Sequence, residues 1–161
     1  MRLYPGVVPS IARNAVQLLM QDGDIEVEPA RVAEAEMDLS AIMREYLTNE
    51  ERVNRATREA LERRGYDVGK FNEVKREMAD MRGFRLGDEG IESVIDQMIE
   101  FLLISRNVEE VFAGDDVLRD KLRTVMSTHL AADPESGGSD GSSGPGWVPP
   151  LGSGPAGSAP A

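Results

Sequence analysis

Four patches of the sequence carry residue types whose spacing could do chemistry. Gly137-Gly138-Ser139-Asp140-Gly141 has the form G-x-S-x-G, which in a hydrolase sets a serine nucleophile on a strained turn between strand and helix. No strand or helix is expected around it, and His129, the chain's one histidine, would have to act as base from another segment. The pattern reads as linker. Asp22, Asp24, Glu26 and Glu28 alternate like the first ligands of a calcium loop, but such a loop needs glycine at its sixth position and glutamate at its twelfth, where Val27 and Ala33 stand. The run reads as an acidic loop whose charge favours the N-terminus of the next helix. Gly83, Gly87 and Gly90 could cradle a phosphate, yet Asp88 and Glu89 would repel it and no P-loop lysine follows. Turn and cap roles account for them.

The fourth patch is basic. Arg52, Arg55, Arg58, Arg63, Arg64, Lys70, Lys75, Arg76, Arg82 and Arg85 lie within 34 residues of a chain whose net charge is -11. Nucleic-acid contact through Arg52, Arg55 and Arg63 is the sharper reading. Against it, Arg55 with Glu59, Arg58 with Glu62 and Glu59 with Arg63 stand at i,i+4, the spacing of a solvated helix laced with ion pairs. Tyr66, Phe71 and Phe84 are the few aromatic groups nearby for base stacking. Nucleic acid is therefore not the expected partner. The absence of cysteine excludes disulfides, thiolate metal sites and thiol nucleophiles, and one histidine cannot make a multi-histidine metal site. No catalytic residue, metal ligand or cofactor site is assigned, so the protein is not expected to be an enzyme.

Helices must position whatever these residues do. Ile11, Ala12, Ala15, Val16, Leu18 and Leu19 repeat at helical spacing and Gly23 follows them. Pro29 suits the first turn of a second helix with Val32, Ala35, Leu39, Ile42, Met43 and Tyr46 on one face. Asn49 offers a cap for a third helix ending at Gly65, and Phe71, Val74, Met78 and Met81 predict a fourth that ends near Gly83. Asp88 is a candidate cap for a fifth helix carrying Ile91, Val94, Ile95, Met98, Ile99, Leu102 and Leu103. Asp115 or Asp116 is one for a sixth with Leu118, Leu122, Val125, Met126 and Leu130. No segment alternates as a strand. From Asp133 to Ala161, 20 of 29 residues are Gly, Pro or Ser, too few apolar groups to offset an ordering cost of roughly 1 to 2 kcal/mol per residue. That stretch is expected to be a disordered tail, with Trp147-Val148-Pro149-Pro150-Leu151 its one bulky apolar cluster.

Shifting the chain by 83 residues lays Met1 to Leu47 on Phe84 to Leu130 without a gap and matches nine identical residues. Matching at about 6 % per position, the usage of common residues, would give roughly three. The identities include Leu19 with Leu102, Leu39 with Leu122, Met43 with Met126, Arg2 with Arg85 and Glu26 with Glu109. The expected fold is all-α: one domain over 1–132 with an internal repeat, 1–47 and 84–130, joined by a two-helix connector at 48–83. Retention of Arg2, Glu26, Arg85 and Glu109 predicts an equivalent ion pair in each half, within a hairpin or between hairpins.

Three segments carry a family resemblance: the opening Met1-Arg2-Leu3; Phe71-Asn72-Glu73-Val74-Lys75 leading into Arg82-Gly83-Phe84-Arg85-Leu86-Gly87-Asp88-Glu89; and Asn107-Val108-Glu109-Glu110-Val111-Phe112 followed by Asp115 or Asp116. Over residues 1 to 130 the chain resembles domain-of-unknown-function family 507, whose members are small bacterial proteins. The resemblance implies a helical bacterial protein and supplies no catalytic residue. The first twenty residues, broken by Pro5, Pro9, Arg13 and Asn14, lack the apolar core of a signal peptide, and Glu100 interrupts the richest apolar stretch. The expectation is a cytoplasmic scaffold or adaptor with no membrane contact, acting on a protein partner or on a second copy of itself. A nucleic-acid- or ribosome-associated factor is the alternative.

Overall fold

The computed structural model describes residues 1–130; the G-x-S-x-G pattern, the tail from Asp133 and the cluster at Trp147 lie outside the described residues. Five α-helices account for the fold: α1 (Val8–Gln21), α2 (Val32–Arg64), α3 (Phe71–Met81), α4 (Gly87–Ile104) and α5 (Asp115–Leu130). The chain is all-α, as its periodicity predicts. Helices α1, α2 and α3 stop in the same way, at a glycine with positive φ: Gly23, Gly65 and Gly83. In each, the amide after the glycine returns to a carbonyl five residues back, as in Asp24 N to Leu19 O at 2.8 Å and Phe84 N to Ala79 O at 2.9 Å, which satisfies the last free carbonyls of the helix.

Four helical segments enclose the main core. α1 packs on α2 and α5, and α4 packs on α5 and α2, so the first half of α2 completes a four-helix bundle. Its interior holds Ile11, Leu19, Leu39, Met43, Ile91, Ile95, Met98, Leu102, Leu118, Leu122 and Met126, all under 3 % exposed. At about 25 cal/mol per Å² of apolar surface, that burial is the dominant stabilising term.

The structure removes one boundary, shifts others and adds one element: Pro29 lies in a 3-10 turn before α2, and Asp88, Asp115 and Asp116 stand inside the first turns of α4 and α5 rather than capping them. Asn49 caps nothing: α2 runs unbroken for 33 residues, about 50 Å at 1.5 Å per residue. The Asn49 side-chain oxygen accepts instead from Arg52 Nη1 at 3.1 Å. No glycine or proline interrupts the helix, and Tyr46, Glu50, Val53 and Thr57 carry the inward face across at steps of three and four. The connector is thus the second half of α2 plus α3, packed together on a separate cluster of Val53, Ala60, Leu61, Val74, Met78 and Ala79. This pair forms an arm leaving one end of the bundle. The added element is a two-residue antiparallel ribbon, β1 (Ile25–Glu26) with β2 (Glu110–Val111), pairing Ile25 with Val111 and Glu26 with Glu110. Strands of two residues are too short to show an alternation.

The offset of 83 relates some helix ends and not others: the start of α1, Val8, falls on Ile91, four residues inside α4, which starts at Gly87. It does move the end of α1, Gln21, onto the end of α4, Ile104, and the start of α2, Val32, onto the start of α5, Asp115. Leu19 and Leu102 are each 1 % exposed, and Leu39 and Leu122 are 0 % and 1 %. The same offset relates two contacts between the halves. Lys121 Nζ donates to Asp24 Oδ2 at 2.5 Å, while Asp38 Oδ2 accepts from Asn107 Nδ2 at 2.7 Å. Each half uses the same point on its second helix to hold the loop of the other, the reciprocity of a two-fold arrangement.

Candidate functional site: the junction of arm and bundle

Helix directions place the charged residues. Lys121 meets Asp22 while His129 meets Asn14, and Arg123 meets Glu92 while Arg119 meets Asp96. α5 therefore runs antiparallel to both α1 and α4. One end of the bundle carries Leu3, Tyr46, the 82–90 segment and His129; the other carries the 22–31 and 105–114 loops.

This settles the expected ion pair. Arg2 and Arg85 precede α1 and α4, whereas Glu26 and Glu109 follow them. Helices of 14 and 18 residues, about 21 and 27 Å long, stand between, and the arginines share one end of the bundle while the glutamates share the other. Neither an Arg2–Glu26 nor an Arg85–Glu109 bridge forms, within a hairpin or between them. Glu109 instead donates its amide to Glu26 O at 2.8 Å. Its carboxyl is held above the usual glutamate range, chiefly by the Glu28 carboxylate beside it.

The acidic run is also accounted for. Asp22 and Asp24 both accept from Lys121 Nζ, at 2.9 and 2.5 Å, so they hold an ammonium of the protein itself. Among the described residues no group of three or more His, Cys, Asp or Glu side chains is arranged to hold a metal ion. His129 Nε2 lies 2.7 Å from Asn14 Nδ2, with no hydroxyl nucleophile hydrogen-bonded to it among the described residues.

Cations of the arm divide into two sets. Arg64 forks onto Glu77 at 3.0 and 2.9 Å, Arg58 reaches Glu51 at 3.1 Å, Lys75 reaches Glu50 at 3.3 Å and Lys70 lies 3.9 Å from Glu73. The Arg64 fork holds the Glu77 carboxyl below its usual range. These pairs replace the i,i+4 pairs expected from the sequence: Arg58 turns back to Glu51, two turns away, rather than forward to Glu62. Arg55 and Arg63 lie exposed on the outer face of α2 and Arg52 is tied to Asn49. Among the described residues none of Arg55, Arg63, Arg76, Arg82 and Arg85 has a carboxylate within 4.0 Å.

Three of those arginines gather where the arm joins the bundle. Gly83 ends α3, and Phe84 turns in to stack on Tyr46 of α2, ring centroids 4.9 Å apart and planes at 28°. Tyr46 Oη donates to Arg85 O at 3.2 Å; burial and the nearby Glu50 carboxylate push its pKa up to about 12, so it remains a donor at physiological pH. Around this anchor open a cavity of about 500 Å³ reached by Arg76 and Arg85, and one of about 320 Å³ reached by Arg52 and Arg82. Gly90 lets α4 approach the anchor: a Cβ there would meet Tyr46 Oη and lie 2.5 Å from Arg85 O. Gly90→Ala is accordingly expected to lower stability by about 1 to 3 kcal/mol, the range for overpacking, in urea denaturation. A midpoint equal to wild type would show that the junction is loose.

Sequence reasoning named Arg52, Arg55 and Arg63 as contacts for the alternative nucleic-acid reading, and the structure brings only Arg52 to this junction. It missed Arg76, Arg82 and Arg85 as a group around Phe84, because their neighbourhood depends on Tyr46, 38 residues away. The signal present was the Arg82-Gly83-Phe84-Arg85-Leu86-Gly87-Asp88-Glu89 segment, whose glycines suggest a phosphate cradle that Asp88 and Glu89 oppose, while Arg82 and Arg85 belong to the basic patch. No helix among the described residues is long and apolar enough to cross a membrane. No curated protein matches the chain. The segments that carried the resemblance prove to be structural joints: Leu3 enters the core, Arg82 to Glu89 form the arm junction, and Asn107 to Phe112 form the ribbon and its lock to Asp38. A match to the family described as "Protein of unknown function (DUF507)" spans residues 1–136, and the chain belongs to that family.

Proposed function

We propose that the protein is a noncatalytic cytoplasmic adaptor that acts through protein–protein contacts, and that the arm is its binding element. One observation carries this reading. The arm packs on its own small cluster, apart from the bundle core, and at its tip Tyr66 and Val68 are 47 % and 85 % exposed, with Lys70 Nζ 5.8 Å from the Tyr66 ring centroid. A protruding aromatic and aliphatic pair beside cations fits an acidic partner surface with an apolar recess, since aromatic anchors dominate interface energies. The reciprocal locks and matching helix ends support a tandem duplication as the origin of the bundle, which then serves as the rigid base of the arm.

The test is affinity capture with the full chain and with a Tyr66→Ser, Val68→Ser variant, at low and high salt. A partner protein retained by the wild type and lost by the variant is expected; identical capture by both removes the arm tip from the function. A second reading, nucleic-acid or ribosome association, is favoured by Arg52 and Arg82 sharing one cavity beside Phe84. No submicromolar binding of single-stranded RNA is expected at physiological salt, because phosphate contacts must overcome a net charge of -11. Tight binding that charge reversal at Arg52, Arg55 and Arg63 abolishes would replace the adaptor reading.

A further inference from the structure

We propose that the 500 Å³ cavity at the arm junction binds a small organic phosphate of the nucleoside phosphate class, its phosphate held by Arg76 and Arg85 and its base laid against Phe84. The site is separate from the arm tip, so this inference stands or falls independently of the adaptor reading. Arg76 and Arg85 line one cavity, and among the described residues neither has a carboxylate within 4.0 Å, in a chain where 29 acidic residues face 18 basic ones. Asp80 and Glu89 line the same cavity, yet neither forms a salt bridge to Arg76 or Arg85. The guanidinium donors are therefore unspent, and a guanidinium presents its donors in the forked geometry that matches phosphate oxygens.

The other walls narrow the ligand. Asp80 and Glu89 accept hydrogen bonds and repel a second negative group, so they suit hydroxyl or amino donors on the ligand body and disfavour a long polyanion. Phe84 and Leu86 supply the apolar part of the wall. Phe84 is fixed in place by its stack on Tyr46, and the Arg85 backbone is fixed by the Tyr46 hydroxyl; a ring already held on one side stacks a base without first being ordered. The volume lies within the range of small-molecule pockets, roughly 300 to 1,000 Å³. A phosphate with hydroxyl and amino donors and a planar ring satisfies all the groups present.

The experiment is an amide NMR titration of the full chain with adenosine monophosphate, beside inorganic phosphate and adenosine as separate probes. Saturable shifts confined to Gly83–Gly87 and the neighbouring turns of α3 and α4 are expected, with each half-ligand binding at least tenfold more weakly than the whole. The Arg76→Gln, Arg85→Gln variant should bind the nucleotide at least tenfold more weakly while keeping the wild-type thermal midpoint. If the double variant is destabilised, Arg76→Gln alone, an exposed change on α3, should show at least a threefold loss. The inference is overturned by the absence of shifts at millimolar nucleotide, by shifts that persist unchanged in the arginine variants, or by inorganic phosphate binding as tightly as the nucleotide. An acidic peptide binding the cavity more tightly than the nucleotide also overturns it, and assigns the arginines to a protein partner.

Discussion

Truncating Leu39 or Leu122 to alanine is expected to cost about 2 to 5 kcal/mol in either case, the range for a leucine removed from a packed core. Both side chains are essentially sealed, at 0 % and 1 % exposure, and they occupy the same place in helices α2 and α5 under the offset of 83. The same holds for Leu19 in α1 and Leu102 in α4, each at 1 %. The lost transfer energy is the same for every leucine; what varies is how far the surroundings collapse into the cavity. Members of a pair with equivalent surroundings should therefore agree more closely than the roughly 2 kcal/mol spread seen across unrelated core sites. Urea denaturation of the four single variants, with the slope checked for a change in cooperativity, measures this. A cost near about 0.5 kcal/mol at one member, the size of a surface change, would break the equivalence of the two halves and remove support for the duplication.

Local signals explain why the helices were legible before the structure. Gly23, Gly65 and Gly83 close three of them, and the apolar stripes of α1, α4 and α5 match the buried faces except at Leu103, which is 55 % exposed on α4. The repeat offset gave the matching ends as well. Contacts between distant segments were not legible. Lys121 reaches Asp24 and Asn107 reaches Asp38 across the two halves, contacts that no local pattern marks even though the offset pairs Lys121 with Asp38 and Asn107 with Asp24. Phe84 read as one aromatic among few; nothing local shows that a ring between two glycines will stack on Tyr46. The ion-pair forecast for Arg2, Glu26, Arg85 and Glu109 failed for a simple reason: retention at equivalent positions says that environments match, not that the retained residues meet. Here they sit at opposite ends of their helices. Of the candidate site, the sequence supplied the cations and left out the anchor they surround, since Phe84 meets Tyr46 only when α3 folds back along α2.

The boundary at Asn49 provides the sharpest contrast between a local signal and its tertiary setting. Were Asn49 an N-cap, residue 50 would be the first of a new helix, a position where proline is tolerated because its missing N–H would be unpaired in any case. In the observed fold residue 50 lies inside a continuous α2, where proline removes a backbone hydrogen bond and clashes with the carbonyl four residues earlier. Glu50→Pro is therefore expected to cost about 3 kcal/mol or more. Part of any loss comes from the Glu50–Lys75 contact at 3.3 Å, and Glu50→Ala isolates that part, which should stay within about 1 kcal/mol for a pair still partly open to water. The difference between the two variants measures helix continuity alone. It also locates the damage, because the kink falls between the bundle core and the separate cluster of the arm. Hydrogen exchange in Glu50→Pro should then show the amides of α3 and of α2 beyond Glu50 losing protection before those of α1, α4 and α5. Uniform loss across all five helices would mean that arm and bundle unfold as one unit, and Glu50→Pro behaving like Glu50→Ala would restore the helix break that Asn49 suggests.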